Sequence, residues 1–295
     1  MMFLELLETY PPFAVGFAAL IGLLVGSFLN VVIYRLPVMM QHEENQAVAE
    51  FLHERDFPIP DALANASQTK FNLATPASRC GNCGHNIRAW ENIPVLSFIL
   101  LRGRCKGCKT PISARYPSIE LLTGALTALA IAHFGFNWQG CAIALLSWCL
   151  IALTMIDFDT CLLPDAITLP LLWAGLIFNY YGVIADFKSA FWGAIWGYLA
   201  LWSVYHIFKL LFKKEGMGYG DFKLLAVLGA WLGWQMLPQV ILLSAIVGTV
   251  IGVGMIIFRG HDKQIPIPFG PYLAIAGLIA VYFGPSINAL YLTSL

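Results

Sequence analysis

Two pairs of cysteines have the spacing of metal ligands. Cys80 and Cys83 form one Cys-x-x-Cys pair, Cys105 and Cys108 form another, and 21 residues separate the pairs. Each pair can form a tight knuckle that points two thiolates at one centre, and two knuckles supply the tetrahedral sulfur set that suits Zn(II). A redox pair is the alternative, but the matched spacing favours zinc. Because a filled four-sulfur site has no open position, the zinc is predicted to be structural.

The remaining histidine and cysteine candidates carry weaker signals. His85 follows the first knuckle and is expected to lie on the surface beside it, with a spare metal ligand as the less favoured interpretation. Cys141, Cys149 and Cys161 occur in apolar stretches. Unpaired cysteines of this kind are usually buried, so these three are predicted to be small apolar residues without a chemical role.

A group of carboxylates lies in or beside apolar segments, where charged side chains are costly and are functional candidates by default. The group comprises Glu120, Asp157, Asp159, Asp165 and Asp221. Two carboxylates held close together in a partly dry site share one proton. One can then activate a water molecule as general base while the other, protonated, polarises a carbonyl group. Asp157 and Asp221 are predicted to be such a pair, which is the machinery of aspartic proteolysis.

Three of these aspartates also have a structural interpretation. Asp221 stands at a glycine-rich turn and could be a helix cap, and Asp165 directly follows Pro164, so a cap is the favoured interpretation there. Asp159 is expected to face the cytosol. The sequence contains neither Gly-x-Ser-x-Gly nor His-Glu-x-x-His, so serine hydrolase and zinc protease mechanisms have no support.

Residues near the aspartates could support the same site. Gly218 and Gly220 precede Asp221 and give a loop thin enough for another backbone to approach. Glu120 could pair with Arg115 or with Lys223, or it could serve the site directly.

The composition places these residues in a membrane protein. Of the 295 residues, 59% are hydrophobic and 12% are charged, and the mean hydropathy is +0.72. Soluble domains have about 45–50% apolar and about 25% charged residues. Lys and Arg number 17, as do Asp and Glu. These values exclude a disordered chain, a nucleic-acid binder with a basic surface and an ordinary soluble enzyme. They predict an all-α polytopic membrane protein.

Eight segments are apolar enough to be predicted as membrane helices, although the fourth and sixth are short. They are Pro12–Val32, Pro117–Phe134, Trp138–Ile156, Ala166–Tyr181, Ala190–Phe212, Phe222–Leu237, Gln239–Phe258 and Tyr272–Leu292. The first is preceded by Glu5 and Glu8 rather than by basic residues and is expected to end at Arg35 and Pro37. It is therefore predicted to be a retained helix and not a removed signal peptide.

The distribution of basic residues predicts the orientation. With the N-terminus outside, the inner loops are 35–116, 157–165, 209–223 and 259–270. Sixteen of the 17 Lys and Arg residues then lie inside or at an inner helix end, and only Lys188 lies outside. Both termini are thus predicted to be periplasmic, with Asp157 and Asp221 at the cytoplasmic face.

The same topology divides the chain into three parts. Residues 1–36 form the first membrane helix, 37–116 a small cytoplasmic zinc domain, and 117–295 a seven-helix membrane domain with the aspartates. A short amphipathic helix is expected near Gln46–His53 within the second part.

In order along the chain, these residues resemble those of the type IV prepilin peptidases, also called prepilin leader peptidase/N-methyltransferases. The resemblance extends from the first helix to the last, and the set of motifs is highly specific. Besides the cysteine pairs, the matching stretches are Gly26–Pro37, Glu91–Pro94, Arg102–Cys105, Ser113–Pro117 with Glu120, Ile156–Asp165, Gly218–Asp221 and Pro268–Pro271.

The resemblance implies a bifunctional enzyme of the bacterial inner membrane. Such an enzyme cuts the leader of type IV prepilins or type II secretion pseudopilins after a glycine, then methylates the new N-terminal residue, usually Phe, with S-adenosylmethionine. It implies that Asp157 and Asp221 are catalytic, that the four knuckle cysteines bind zinc, and that Gly103 is linked to methylation. The family's Gly-Gly-Met-Gly-Gly-Gly-Asp run is here Glu215–Asp221, with Tyr219 in place of a glycine, which could narrow the approach to the site.

Two other functions compete with this one. A proton- or ion-coupled carrier also uses intramembrane carboxylates and broken helices, but its site is expected near the midplane between repeats, and no repeat is evident. An assembly factor that docks through the zinc domain leaves the paired aspartates unexplained. Neither oligomeric state nor the contacts to S-adenosylmethionine follow from the sequence, and no nucleic acid partner is expected.

Overall fold

The protein folds as a set of α-helices. The computed structural model describes residue 7 and residues 9–58, 60, 71–214, 217–259 and 268–293, with the side chains of 255–259 and 290–293 left out. Within this part of the chain no β-strand is present, and the only extended pairings are two isolated bridges. The predicted all-α membrane fold is confirmed.

The described residues contain nine α-helices and two 3-10 turns, the latter at Ala89–Asn92 and Trp234–Met236. The helices are α1 (Pro11–Glu54), α2 (Leu96–Leu100), α3 (Arg115–Phe134), α4 (Trp138–Thr160), α5 (Asp165–Tyr180), α6 (Phe187–Phe212), α7 (Tyr219–Leu232), α8 (Leu237–Arg259) and α9 (Gly270–Thr293). Apart from α2, each overlaps one of the eight segments expected from the sequence.

Six of these helices are long and apolar enough to cross a membrane, namely α1, α3, α4, α6, α8 and α9. The helices α5 and α7 have 16 and 14 residues. A straight span takes about 20 residues, because a helix rises about 1.5 Å per residue. The count of eight spans is therefore not confirmed, although all eight helices exist.

Helix α1 does not end where the sequence suggested. It continues without a break through Pro37 to Glu54, so the short helix expected near Gln46–His53 is part of it. A proline inside a helix costs about 3 kcal/mol, which the good helix formers on its C-terminal side offset.

The buried Arg35 does not end the helix but binds the backbone of a distant segment. It donates hydrogen bonds to the carbonyl oxygens of Asn72 at 2.9 Å and Pro76 at 2.7 Å.

The chain forms two compact units, one of Met1–Ala14 with Leu129–Leu295 and one of Val15–Ala128. Both boundaries fall inside helices, α1 and α3.

In the larger unit the short helix α7 lies at the centre and packs against α5, α6 and α9. Gly193 and Gly197 of α6 lie directly against the α7 backbone at Gly229 and Leu225, which leaves no room for larger side chains. On the α5 side, the Trp231 indole Nε1 donates to the carbonyl oxygen of Leu171 at 2.8 Å. These contacts hold α7, and with it Asp221, in a fixed position.

Candidate active site and metal centre

The four predicted zinc ligands meet at one point. Cys80, Cys83, Cys105 and Cys108 place their sulfur atoms within 4.8 Å of one another. The two knuckles are built alike. The backbone carbonyl oxygens of Cys80 and Cys105 accept the N–H groups of Gly84 and Lys109, respectively, and an isolated β-bridge closes each knuckle. The Asn82 side-chain amide of the first knuckle donates to the Thr110 hydroxyl of the second at 2.9 Å.

The sulfur geometry fits a tetrahedral zinc ion. The Sγ atoms of Cys80 and Cys108 are 3.8 Å apart, and those of Cys83 and Cys105 are 4.0 Å apart. Zinc–sulfur bonds of about 2.3 Å in a tetrahedron put the sulfurs about 3.8 Å apart. The four cysteines thus match a structural zinc centre, as predicted.

Hydrogen bonds favour thiolates in this cluster. The hydroxyl and backbone N–H of Thr110 lower the pKa of Cys108 to about 5. The backbone N–H groups of Cys83 and Asn82 lower the pKa of Cys80. For Cys83 the N–H of His85 acts in the same direction, but the Cys108 sulfur and desolvation outweigh it and raise the pKa to about 11. A bound metal would displace the protons that remain on these thiols.

His85 is engaged elsewhere and is not in the sulfur cluster. Its Nε2 lies 3.0 Å from Oε2 of Glu91, a buried carboxylate that also accepts the backbone N–H of Arg88. Lys106, between the cysteines of the second knuckle, lies 3.6 Å from the other Glu91 oxygen. Glu91 therefore ties the two knuckles to the 3-10 turn that contains it. The sequence showed Glu91 only as part of a family motif, without this role.

Asp157 lies near the C-terminal end of α4 and is only 4% exposed. Its Oδ2 accepts the backbone N–H of Gly270, at the start of α9, at 3.0 Å. A Cβ atom on Gly270 would lie 2.6 Å from the same oxygen. The position therefore requires glycine, because any side chain would displace the carboxylate. Sequence reasoning placed Gly270 in a family motif but did not connect it to Asp157.

Asp221 lies in the first turn of α7 and is 6% exposed. The N-cap of α7 is Gly218, and its backbone N–H donates to the carboxylate of Asp221 in the first turn. Asp221 therefore makes a helix-capping contact. One backbone hydrogen bond does not offset the burial of a charged carboxylate, so Asp221 is still a candidate for a chemical function.

The structure brings Asp157 and Asp221 together, although 64 residues separate them in the sequence. They are close enough for the charge of one to act on the other. Leu163 marks the same place, because it contacts both Gly220, next to Asp221, and Gly270, next to Asp157. Cys161 lies there too. Desolvation is the main cause that raises the pKa of its thiol, and the charges of Asp157 and Asp221 raise it further.

The three remaining cysteines, predicted to be small apolar residues, differ in burial. Cys161 and Cys141 are exposed, and Cys149 is partly buried. Cys161 is the C-cap of α4 with a left-handed backbone, so it follows the helix end outward instead of packing inside.

The other candidate carboxylates have separate surroundings. Asp165 is the first residue of α5 and forms an ion pair with Lys223, whose Nζ lies 2.6 and 2.7 Å from its two oxygens. The N-cap of α5 is Pro164, so the favoured capping interpretation of Asp165 is wrong. Asp159 is exposed and lies roughly 200° around α4 from Asp157, given 3.6 residues per turn.

Glu120 is buried in α3, where its Oε2 accepts the backbone N–H of Val95 at 2.7 Å. The Ser27 hydroxyl of α1 is a second partner. Of the partners considered for Glu120, Lys223 binds Asp165 instead.

The glycines flanking these sites differ in what they require. A Cβ on Gly220 would lie 2.7 Å from Cβ of Leu163, so Gly220 permits a close approach by a side chain and not by a backbone. At Gly218 the nearest atom, Oδ2 of Asp221, would be 3.8 Å away, which is ordinary contact. Gly103 has a φ of +64° and would meet Phe98 at 3.0 Å.

Tyr219, the departure from the family pattern, packs its ring against Tyr205 of α6 and against Phe222. Its hydroxyl lies 3.4 Å from that of Tyr205. Glu215 and Gly216 of the same run, like most of the inner loop 259–270, lie outside the described residues.

The chain matches two family models in sequence. Residues 20–134 match the bacterial peptidase A24 N-terminal domain, and residues 144–253 match the type IV leader peptidase family. The chain belongs to the type IV leader peptidase family. The first match contains the four-cysteine centre and the second contains both buried aspartates.

Curated relatives from this leader peptidase family match nearly the whole length of the chain. A protein of Stutzerimonas stutzeri is 55% identical over 98% of the chain and 97% of its own length. Proteins of Pseudomonas aeruginosa and Aeromonas hydrophila are each 51% identical over 99% of the chain and over 98% and 99% of their own lengths. All three are named prepilin leader peptidase/N-methyltransferase, which confirms the resemblance and the enzyme class. No solved structure matches the chain.

Proposed function

We propose that this protein is a membrane aspartic endopeptidase that removes the leader of type IV prepilins or type II secretion pseudopilins and then N-methylates the new N-terminal residue. The buried pair Asp157 and Asp221 carries the proposal, because these two carboxylates meet in one helical unit. A carrier site near a midplane does not account for aspartates at helix ends. The test is cleavage of a purified prepilin by the parent protein and by variants of each aspartate.

The two carboxylates take complementary roles in this proposal. Each accepts a backbone N–H, Asp157 from Gly270 and Asp221 from Gly218, and we assign Asp157 as the general base and Asp221 as the protonated acid. Asp157 takes a proton from water, the hydroxide adds to the scissile carbonyl carbon, and Asp221 protonates the carbonyl oxygen. When the tetrahedral intermediate collapses, the C–N bond breaks, the proton held by Asp157 passes to the leaving amine, and Asp221 takes back a proton from a hydroxyl group of the intermediate.

The helices and the basic residues support a location of the protein in the membrane and an orientation across it. The six membrane-length helices and the family support an inner membrane protein. We propose, from the basic residues, that both termini are periplasmic and that the catalytic pair and residues 37–116 lie on the cytoplasmic side. Residues 1–36 would contain the first membrane span, which is the N-terminal part of α1, and 117–295 would be the membrane domain. A prepilin has its leader in the cytosol and its apolar helix in the bilayer, so its scissile bond lies at that same face.

The zinc ion has a structural part in this proposal, and S-adenosylmethionine is a substrate. Zinc would join the two knuckles into one domain, with all four positions filled by sulfur. S-adenosylmethionine supplies the methyl group that the free N-terminal amine accepts after cleavage. We place that transfer in the segment 79–115, which contains Gly103.

Gly103→Glu should impair methylation more than cleavage. A side chain at this position meets Phe98 and is strained by the positive φ, so the turn before Cys105 must shift. We expect methyl transfer to fall by about 10-fold or more and cleavage by less than about 3-fold, since distortion of a positioned site costs such factors.

The matched control for this variant is Gly84→Glu. Gly84 also has a positive φ, +70°, but nothing lies within 4 Å of its Cβ position. It tests the backbone strain without the clash. Equal loss of both activities in Gly103→Glu would contradict separate sites and would favour one shared site.

The ion pair between Asp165 and Lys223 should position the catalytic pair. It links the start of α5, just after Leu163, to the residue two places after Asp221. Lys223→Asp puts two negative charges together, and we expect cleavage to fall about 10-fold, while the double variant Asp165→Lys/Lys223→Asp recovers to within about 3-fold of the parent. Cleavage by the single variant at the parent rate would contradict this role.

A further inference from the structure

The short helix α2 presents an apolar surface. The exposed fractions of Leu96, Ile99 and Leu100 are 49%, 63% and 65%. Their spacing of three and four residues puts them on one face of the helix. Trp90 and Ile93, just before the helix, are exposed as well. Exposed apolar residues grouped in this way indicate contact with something other than water.

Hydrogen bonds place this surface beside a membrane span. The N–H of Val95, the N-cap of α2, binds the Glu120 carboxylate at 2.7 Å. Glu120 lies five residues into α3, a helix long and apolar enough to cross a membrane. Five residues correspond to about 7.5 Å along a helix axis. The start of α2 is therefore level with the first turns of a membrane span, where the bilayer interface is expected.

The charges around α2 identify the chemistry of the surface that would cover it. Residues 79–115 contain seven Lys and Arg and one acidic residue, the buried Glu91. Arg102, Arg104, Lys106 and Lys109 follow the helix and are exposed, and Lys106 also lies over the Trp90 ring and 3.6 Å from Glu91. An apolar helix face bordered by basic residues binds an interface of acyl chains and anionic headgroups. A positively charged peptide would be repelled by the same charges.

We propose that α2 lies in the interface of an anionic bilayer, with Leu96, Ile99 and Leu100 inserted among the lipids and the basic residues at the headgroups. The surface, here called the α2 anchor, consists of these five apolar residues, 90, 93, 96, 99 and 100, and the four basic ones. Because Phe98 packs under Gly103, the anchor also fixes the turn that leads into Cys105. The zinc domain is thereby held against the membrane in addition to its links to α1 and α3.

Photo-crosslinking in lipid nanodiscs tests the anchor. A photoreactive amino acid replaces Ile99 in the full-length protein, in discs that contain phosphatidylglycerol, and lipid adducts are measured by mass spectrometry. Gly81 is the matched control, because it is in the first knuckle and nothing lies within 4 Å of its Cβ position. We expect at least about 5-fold more lipid adduct from position 99 than from position 81, and less adduct when phosphatidylcholine replaces the anionic lipid.

The other outcomes contradict the proposal. Equal lipid adducts at both positions, or adducts from position 99 to a second copy of the chain or to added prepilin, would show that lipid does not cover α2. Ile99→Asp with Leu100→Asp should weaken the lipid adducts formed from a probe at Leu96, with zinc content unchanged. Prepilin cleavage is assayed in the same discs. Cleavage without lipid adducts refutes the anchor alone, whereas adducts without cleavage refute the proposed function alone.

Discussion

Asp157→Asn and Asp221→Asn should each reduce prepilin cleavage by at least about 1000-fold, since a positioned acid or base contributes about 10²–10⁴-fold. An asparagine keeps the size of the side chain but can neither accept the proton of water nor donate one to the carbonyl oxygen. Because both side chains are buried, the substitution also changes the surroundings of a buried group, and the folding of each variant must be measured. The measurement is the rate of leader removal in detergent or lipid, with zinc content and insertion as evidence of folding.

A methylation assay distinguishes the loss of a catalytic group from the loss of the folded protein. Supplied with an already mature pilin, the aspartate variants should still transfer the methyl group. Asp159→Asn is the matched control, because it makes the same chemical change at an exposed residue two places after Asp157. Substantial cleavage by either aspartate variant would contradict the assignment and would move the pair to Asp159 or Asp165.

A substitution beside Asp157 should have a related effect without removing either carboxylate. Gly270→Ala would put a methyl group 2.6 Å from the Asp157 carboxylate oxygen and must displace it. Gly254→Ala in α8 is the control, since its Cβ position has no neighbour within 4 Å. Cleavage by Gly270→Ala at the rate of Gly254→Ala would show that the contact between Gly270 and Asp157 does not position the catalytic group.

Cys80→Ser should lose the zinc ion and destabilise the domain that contains it. Structural zinc contributes about 10–16 kcal/mol to the folding of small zinc domains, so its loss is expected to unfold the two knuckles. Methylation should suffer at least as much as cleavage, because the aspartates lie in the other compact unit. The measurements are zinc per protein by elemental analysis and the two activities side by side.

Two further variants sharpen the zinc test. Cys141→Ser removes an exposed thiol outside the cluster and should leave zinc and both activities unchanged. Gly107→Ala would put a Cβ atom 3.3 Å from the Cys83 sulfur and should weaken zinc binding while all four ligands remain. Equal zinc content in Cys80→Ser and the parent would refute the four-sulfur assignment.

The sequence alone identified the residues of both candidate sites, because that information is local. Two Cys-x-x-Cys pairs are enough to specify a tetrahedral sulfur set, since each knuckle forms from adjacent residues. Apolar runs located the helices, since burial of the backbone in lipid leaves few alternatives. The charge of the loops predicted one face for Asp157 and Asp221, and the structure places these residues together.

Tertiary structure decided how these residues are held, because the contacts join distant parts of the chain. The Gly270 N–H reaches Asp157 across 113 residues, Lys223 reaches Asp165 across 58, and Val95 reaches Glu120 across 25. No local pattern encodes such pairs. The continuation of α1 through Pro37 also depends on two opposing effects. The proline is unfavourable inside a helix, and the helical residues on both sides of it are favourable. Packing against neighbouring helices, through glycine contacts that sequence periodicity does not reveal, finally determines where the short helix α7 holds Asp221.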